Sequence, residues 1–435
     1  MSFKLPGNIL DYNKNKAIKN WHIEGNGGTG FTGAVVIPAL AETATLLDTL
    51  CSLALNPPEA LSRFLVLVVV NHREDTPLAD KLDNLASLEQ FQKAAVPDNL
   101  QFAWVNAASS GMELPNKSGG VGLARKIGLD LALTRLDYDR HDPILACLDA
   151  DTLVRPDYLP TLLRHFKSPD SNSAVINFVH QKGVTPEANS AIMRYELFLR
   201  SYVLGLKTAG SMYGFHTVGS AMACRASAYV KISGMNSRTA GEDFYFLQQL
   251  AKTAGVDQVK GTVIYPSARA SHRVPFGTGR SISKLLEGDA GAVLFYHTDC
   301  FHILGRFLKL ISDHLAEGPN FLLTQAREIS PQLVNYLDLA GFEDIWEKLS
   351  RNNKGKQALW SAFNGWFDGL KTMKLIHHLS AGSLQRREPD EVMPDLLEWA
   401  GLARIRGLEN QLELLRSVQL GEDYEESAKM LSAVG

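Results

Sequence analysis

Apolar residues in the first third of this chain follow two alternating patterns. "AVVI" (34–37) is a continuous β-branched run bounded by Gly33 and Pro38, which reads as a buried strand. "ETATLLDTLCSLAL" (42–55) has helical spacing instead, with Leu46, Leu47, Leu50, Leu53 and Ala54 predicted on one face. "FLVLVVV" (64–70) predicts a second buried strand, residues 78–94 a helix, and "LQFAWV" (100–105) a third strand. A Gly/Ser/Pro/Asn-rich loop, 106–120, leads into a predicted helix at 122–136 and a fourth strand, "ILACL" (144–148). Continuous apolar strands alternating with helices predict a mostly parallel sheet covered on both faces. Ligands of such sheets lie beyond the carboxyl ends of the strands.

The pattern then changes. Residues 174–180, 219–225 and 258–265 read as strands and 241–255 as a helix, while 303–434 reads as a series of amphipathic helices. The expected organisation is an N-terminal extension (1–32), an α/β domain (33–300) and a helical C-terminal subdomain (301–435).

With 45% apolar and 21% charged residues, the composition is that of a globular protein with a sizeable core. A net charge of −3 supplies no field that would draw it to nucleic acid. The four cysteines form no CxxC and are expected to be reduced thiols, mostly buried, in a cytoplasmic protein. No signal-peptide core is recognisable, and the most apolar run, 64–70, is too short to cross a bilayer. Peripheral contact with the inner face of a membrane stays open, as does the oligomeric state.

Against that background two acidic pairs stand out. Asp149 and Asp151 end the fourth strand, where carboxylates are costly unless paired, solvated or metal-bound. In an extended segment, side chains at i and i+2 point the same way, so both carboxylates would reach one divalent cation. Oxygen ligands suit Mg2+ or Mn2+, with coordination positions left for phosphate oxygens. Glu242 and Asp243 open the helix at 241–255. They read either as first-turn charges favoured by the helix dipole or, beside a metal–diphosphate site, as acceptors of a hydroxyl proton.

"VVIPALAE", "VLVVVN", "GVGLARKIGLDLAL", "LACLDADTLVRPDYL", "VGSAMACRASAYVKISGM" and "AGEDFYFLQQLAK" occur in that order. Together, over about residues 33 to 280, they resemble a family 2 glycosyltransferase, an inverting nucleotide-sugar enzyme with a GT-A-type fold. The resemblance implies that Pro38, Ala39, Glu42, Asn71 and Arg125 lie against the nucleotide or its diphosphate. It implies that Asp149 and Asp151 form the metal-binding DxD, with Asp149 also near the nucleotide, and that Asp243 is the catalytic base with Glu242 beside it. A histidine downstream of the acidic helix completes the metal site in related enzymes, which nominates His272. Three departures bear on base selectivity: Ala41 stands where asparagine is common, Lys126 follows the arginine in place of asparagine, and Asn71 replaces an aspartate.

Around a Gly-rich turn, Arg269, Arg273 and Arg280 read either as a lid that clamps a diphosphate or as solvated charges. Trp346, Trp360, Trp366 and Trp399 are expected to pack the tail helices, an exposed acceptor or membrane surface being the alternative. The activity implied is metal-dependent transfer from a nucleoside-diphosphate sugar to an acceptor hydroxyl whose identity the residues do not specify. A nucleotidyltransferase and a non-catalytic nucleotide-sugar-binding scaffold remain the alternatives.

Overall fold

The computed structural model describes residues 5–270 and 277–421. Their strands are β1 (Glu24–Gly25), β2 (Gly33–Ala39), β3 (Phe64–Asn71), β4 (Gln101–Ala107), β5 (Ile144–Cys147), β6 (Leu153–Val154), β7 (Ser173–Phe178), β8 (Met222–Arg225) and β9 (Asp257–Tyr265). The helices begin with α1 (Gly7–Asn15), α2 (Thr43–Ala54), α3 (Pro58–Leu61), α4 (Leu78–Gln92), α5 (Val121–Ala132), α6 (Tyr158–His165), α7 (Pro186–Thr208), α8 (Ala226–Lys231), α9 (Glu242–Ala254) and α10 (Thr278–Leu286). Eight more follow, from α11 (Thr298–Asp313) to α18 (Leu408–Leu420).

The strands form one sheet in the order β1-β4-β3-β2-β5-β8-β7-β9-β6. At its centre β4, β3, β2 and β5 run parallel. Antiparallel β8 breaks that run, pairing with both β5 and β7. This is the expected mostly parallel sheet flanked by helices and followed by a helical run, made mixed by β8. Every residue of β2, β3 and β5 is buried, which is why these segments read as continuous apolar runs rather than alternating ones. Pro38 tolerates its central strand because β5 pairs β2 only as far as Val36.

Several expectations shift in detail. Strand 219–225 begins only at Met222. In α2, Leu46, Thr49, Leu50 and Leu53 are buried, while Leu47 lies around the helix from them and is exposed. The two-residue strands β1 and β6 are too short to carry a period, and they depend on pairing with β4 and β9.

The chain divides into two compact units. The first contains described residues up to 192, 217–283 and 419–421. The second contains residues 193–216 and 284–418. Within the second, Phe307, Phe342, Trp346, Phe363 and Phe367 centre an apolar core, with Phe307 and Phe367 edge-to-face at 5.2 Å. Trp360, Trp366 and Trp399 are partly buried against that core. His297 caps α11 through its Nδ1, and His302 stacks on Trp399. Three of the four cysteines are buried, Cys51 is exposed, and none is in a disulfide. Among the described residues no helix is long and apolar enough to cross a membrane.

Within the first unit, α5 lies across β2 and β3 and is the helix that delivers Arg125. Gly128 permits that approach, since a Cβ there would lie 2.3 Å from Val36 Cγ1 and 3.0 Å from Val69 Cγ2. The other end of α5 is pinned by a buried polar knot. Asp130 accepts from Tyr12 and Tyr229 at 2.7 and 2.6 Å, and Lys126 Nζ lies 2.9 Å from its Oδ2. Lys126 therefore serves the docking of α1, on the side of the helix that holds the N-terminal segment. Gly128→Ala is expected to lower unfolding free energy by about 1–3 kcal/mol through overpacking. Urea denaturation checks this, and an unchanged midpoint would mean that α5 lifts off the sheet without cost.

Candidate active site

The carboxyl ends of β2, β3 and β5 lie side by side and carry the residues of interest. At the end of β3, Asn71 is buried, and its Nδ2 donates to Ala39 O and Val69 O at 3.1 and 3.0 Å. Asn71 and Ala39 therefore meet as a brace between two strand ends. Asn84, on α4, strengthens the brace: it donates to Asn71 O, contacts His72 Nδ1 and accepts from Ala41 N. Ala41 itself adopts φ 53°, a left-handed conformation that favours asparagine or glycine.

The DxD aspartates do not lie in an extended segment. Past β5 the chain turns, and Thr152 N bonds to Asp149 O at 3.1 Å. The two carboxylates consequently take different partners. Asp149 Oδ1 accepts from Arg125 Nη2 at 2.6 Å, and Arg125 Nε donates to Glu242 Oε1 at 3.1 Å. Arg125 is only 3% exposed. Burial alone would lower its pKa, but the two carboxylates outweigh burial and hold it above the ordinary arginine value. Gly219 makes the arrangement possible, because a Cβ there would lie 2.3 Å from Arg125 Nη2. Among the described residues Arg125 Nη1 is buried and has no hydrogen-bond partner.

Asp151 meets a different set. Arg269 Nη2 lies 3.1 Å from Asp151 Oδ2 and 2.6 Å from Glu42 Oε2. Glu42 stands at the start of α2, where Thr45 Oγ1 donates to its Oε2 at 2.7 Å. The turn is held to the end of β9 by Gln181, whose Nε2 donates to Asp151 O and Tyr265 O at 3.0 and 2.7 Å.

Glu242 faces inward onto Arg125 and is buried, whereas its neighbour Asp243 is partly exposed in the first turn of α9. Burial first, then the Glu242 and Asp149 charges, push the Asp243 carboxyl up to about 7, against the lowering effect of the Phe244 N–H and Arg125. A carboxyl titrating near neutrality is suited to receiving a proton and passing it on.

The structure thus brings Arg125, Asp149, Glu242 and Asp243 together on one side, and Glu42, Asp151 and Arg269 on the other. Arg280 lies half-buried in the first turn of α10. His272 and Arg273 lie outside the described residues. Gly219, Asn84 and Gln181 were not anticipated, because their roles are defined by partners 94, 13 and 30 residues away in the chain.

Among the described residues no group of three metal-ligating side chains is preassembled. The donor chemistry nevertheless fits a hard divalent cation. Glu42 and Asp151 already converge on one cationic nitrogen, and diphosphate oxygens and water would complete the coordination.

Residues 144–284 match the family model described as "Glycosyl transferase family group 2". That segment carries both aspartates, the Glu242-Asp243 pair and Arg269. No curated protein matches the chain. Solved structures similar to it include S. aureus TarS 1–349 in complex with UDP-GlcNAc, 14% identical over 82% of this chain and 93% of that one, with a TM-score of 0.38. A mannosyltransferase, PcManGT from Pyrobaculum calidifontis in complex with GDP-Man and Mn2+, is 13% identical over 98% and 91%, with a TM-score of 0.37. M. tuberculosis glucosyl-3-phosphoglycerate synthase is 15% identical over 67% and 86%, with a TM-score of 0.31. Likenesses this loose carry no argument about the site.

Two outcomes follow from the electrostatics. Arg125→Met leaves Asp149 and Glu242 without their counter-charge, and equilibrium unfolding should show a loss of about 3–5 kcal/mol. A loss under about 1 kcal/mol would mean that the buried carboxylates find other solvation. The folded pKa of Asp243 lies above that of an unfolded aspartate, so its ionisation weakens the fold as pH rises from about 4 through 7. Asp243→Asn should therefore stabilise the protein by about 1–4 kcal/mol near pH 8 and change it little near pH 4. Thermal melts at both pH values check the difference.

Proposed function

We propose that this family 2 glycosyltransferase, which takes its sugar from a nucleotide donor, moves that sugar with inversion to an acceptor hydroxyl, using Asp243 as general base. The observation that carries the reading is the contrast within the Glu242-Asp243 pair. Glu242 is committed to Arg125, while Asp243 is partly open and poised near neutrality. Asp243 takes the proton as the acceptor oxygen attacks the anomeric carbon from the face opposite the diphosphate. The bond to the diphosphate oxygen breaks, and the nucleoside diphosphate leaves with the electron pair. Arg125 keeps Asp149 and Asp243's neighbour Glu242 at fixed positions, so the base does not have to be reoriented at the moment of reaction.

The nucleotide lies across the ends of β2, β3 and β5, over Pro38, Ala39 and Asn71 and beside Asp149. Asp151, with Glu42 nearby, is the carboxylate that would hold Mg2+ or Mn2+, and such an ion supplies charge neutralisation to the departing diphosphate. Asn71 spends its amide on strand-end carbonyls, so its contribution to the nucleotide is the shape of the brace it builds with Ala39. Burial of that amide also accounts for the absence of the aspartate expected from the resemblance, since a buried, unpaired carboxylate would be costly there.

Asp243→Asn should reduce transfer by 10³-fold or more on the order-of-magnitude scale of general-base loss, with nucleoside-diphosphate affinity retained. In the wild type kcat/KM should fall as pH drops below about 7, because the protonated carboxyl cannot accept the hydroxyl proton. Product analysis by NMR reads the anomeric configuration. Wild-type turnover in Asp243→Asn, or retention of configuration, would refute the assignment.

A further inference from the structure

Arg269 lies four residues beyond the end of β9. Its Nη2 donates to both oxygens of Glu42, at 2.9 and 2.6 Å, and to Asp151 Oδ2 at 3.1 Å. A single nitrogen therefore stands where carboxylates from the ends of β2 and β5 converge. This meeting is built by the fold. Leu153 pairs with Tyr265 in the β6–β9 ladder, Gln181 ties Asp151 to Tyr265, and Gln181 N bonds to Pro266 O at 2.9 Å. These bonds bring residues 266–270 beside the DxD turn.

The arginine is more exposed than the carboxylates it bridges. Its side chain is 37% exposed, against 10% for Glu42 and 23% for Asp151. A divalent ion would bring twice the charge of the guanidinium to the same two carboxylates. Guanidinium remains charged at any working pH, so it cannot yield by losing its proton. A metal ion on Asp151 and Nη2 at its observed position would put like charges within a few ångströms, and one must move.

Building on the proposed metal role of Asp151, we infer that Arg269 is a resident cation at the metal position, holding Glu42 and Asp151 in place and swinging aside when a divalent ion enters. The side chain keeps the two acidic strand ends from repelling each other while no ion is bound. It also sets a threshold for ion entry, so that free metal competes poorly and metal accompanied by a diphosphate competes well.

The test is direct ion binding to the full chain, measured by electron paramagnetic resonance of free Mn2+ during titration. Arg269→Met keeps much of the aliphatic stem and removes the charge. The variant should bind Mn2+ alone on the order of tenfold more tightly than wild type, since two partly exposed ion pairs no longer compete. Adding UDP or GDP should narrow the difference, because the diphosphate contributes ligands in both proteins. Asp151→Asn in the Arg269→Met background should abolish the gain. Equal Mn2+ affinity in wild type and Arg269→Met, with Asp151→Asn still abolishing binding, would overturn the displaced-cation role and leave the metal role of Asp151 standing. A gain that survives Asp151→Asn, or no Mn2+ binding by any variant with or without the nucleotide, would overturn both. A matching thermal melt for Arg269→Met shows that the comparison is between folded proteins.

Discussion

The site depends on one buried guanidinium. Arg125 sits at 3% exposure between Asp149, from the turn after β5, and Glu242, from the start of α9. A buried charge of this kind is tolerable only with close counter-charges, and the counter-charges in turn are tolerable only with the arginine. Three segments distant in sequence are thereby bound to one register. The close packing of α5 on the sheet at Gly128 and the space left by Gly219 both serve to bring that guanidinium to its place.

From this follows a division of labour between neighbouring acids. Asp149 and Glu242 are structural carboxylates, each committed to Arg125. Asp151, two residues beyond Asp149, is paired with Arg269 instead, and Asp243, next to Glu242, is partly exposed. Burial first, and then the neighbouring Glu242 and Asp149 carboxylates, raise the pKa of Asp243. The same electrostatic frame that fixes the site therefore tunes the group proposed to do its chemistry, and ionising that group costs the fold stability at neutral pH.

Much of the organisation was legible in the residues alone. The continuous apolar runs of β2, β3 and β5 identified a buried parallel sheet, because strands covered on both faces have no polar alternation to show. Acidic pairs at a strand end and a helix start identified the candidate site, because carboxylates in such places require a reason. The short strands β1 and β6 were not legible, since two residues carry no periodicity and exist only as partners of β4 and β9. The antiparallel insertion of β8 was equally hidden, because strand direction leaves no mark on composition.

The residue types that meet at the carboxyl ends of the central strands are written in local patterning: acids, an arginine and an asparagine on an apolar frame. Which acid faces which cation was decided by tertiary structure. The turn after Asp149 sends the two aspartates apart, Arg125 from α5 claims the first, and Arg269 from beyond β9 claims the second. These pairings span 24 and 118 residues, and local patterning encodes side-chain character over a few residues only. Their geometry exists only once the sheet has brought the strand ends together.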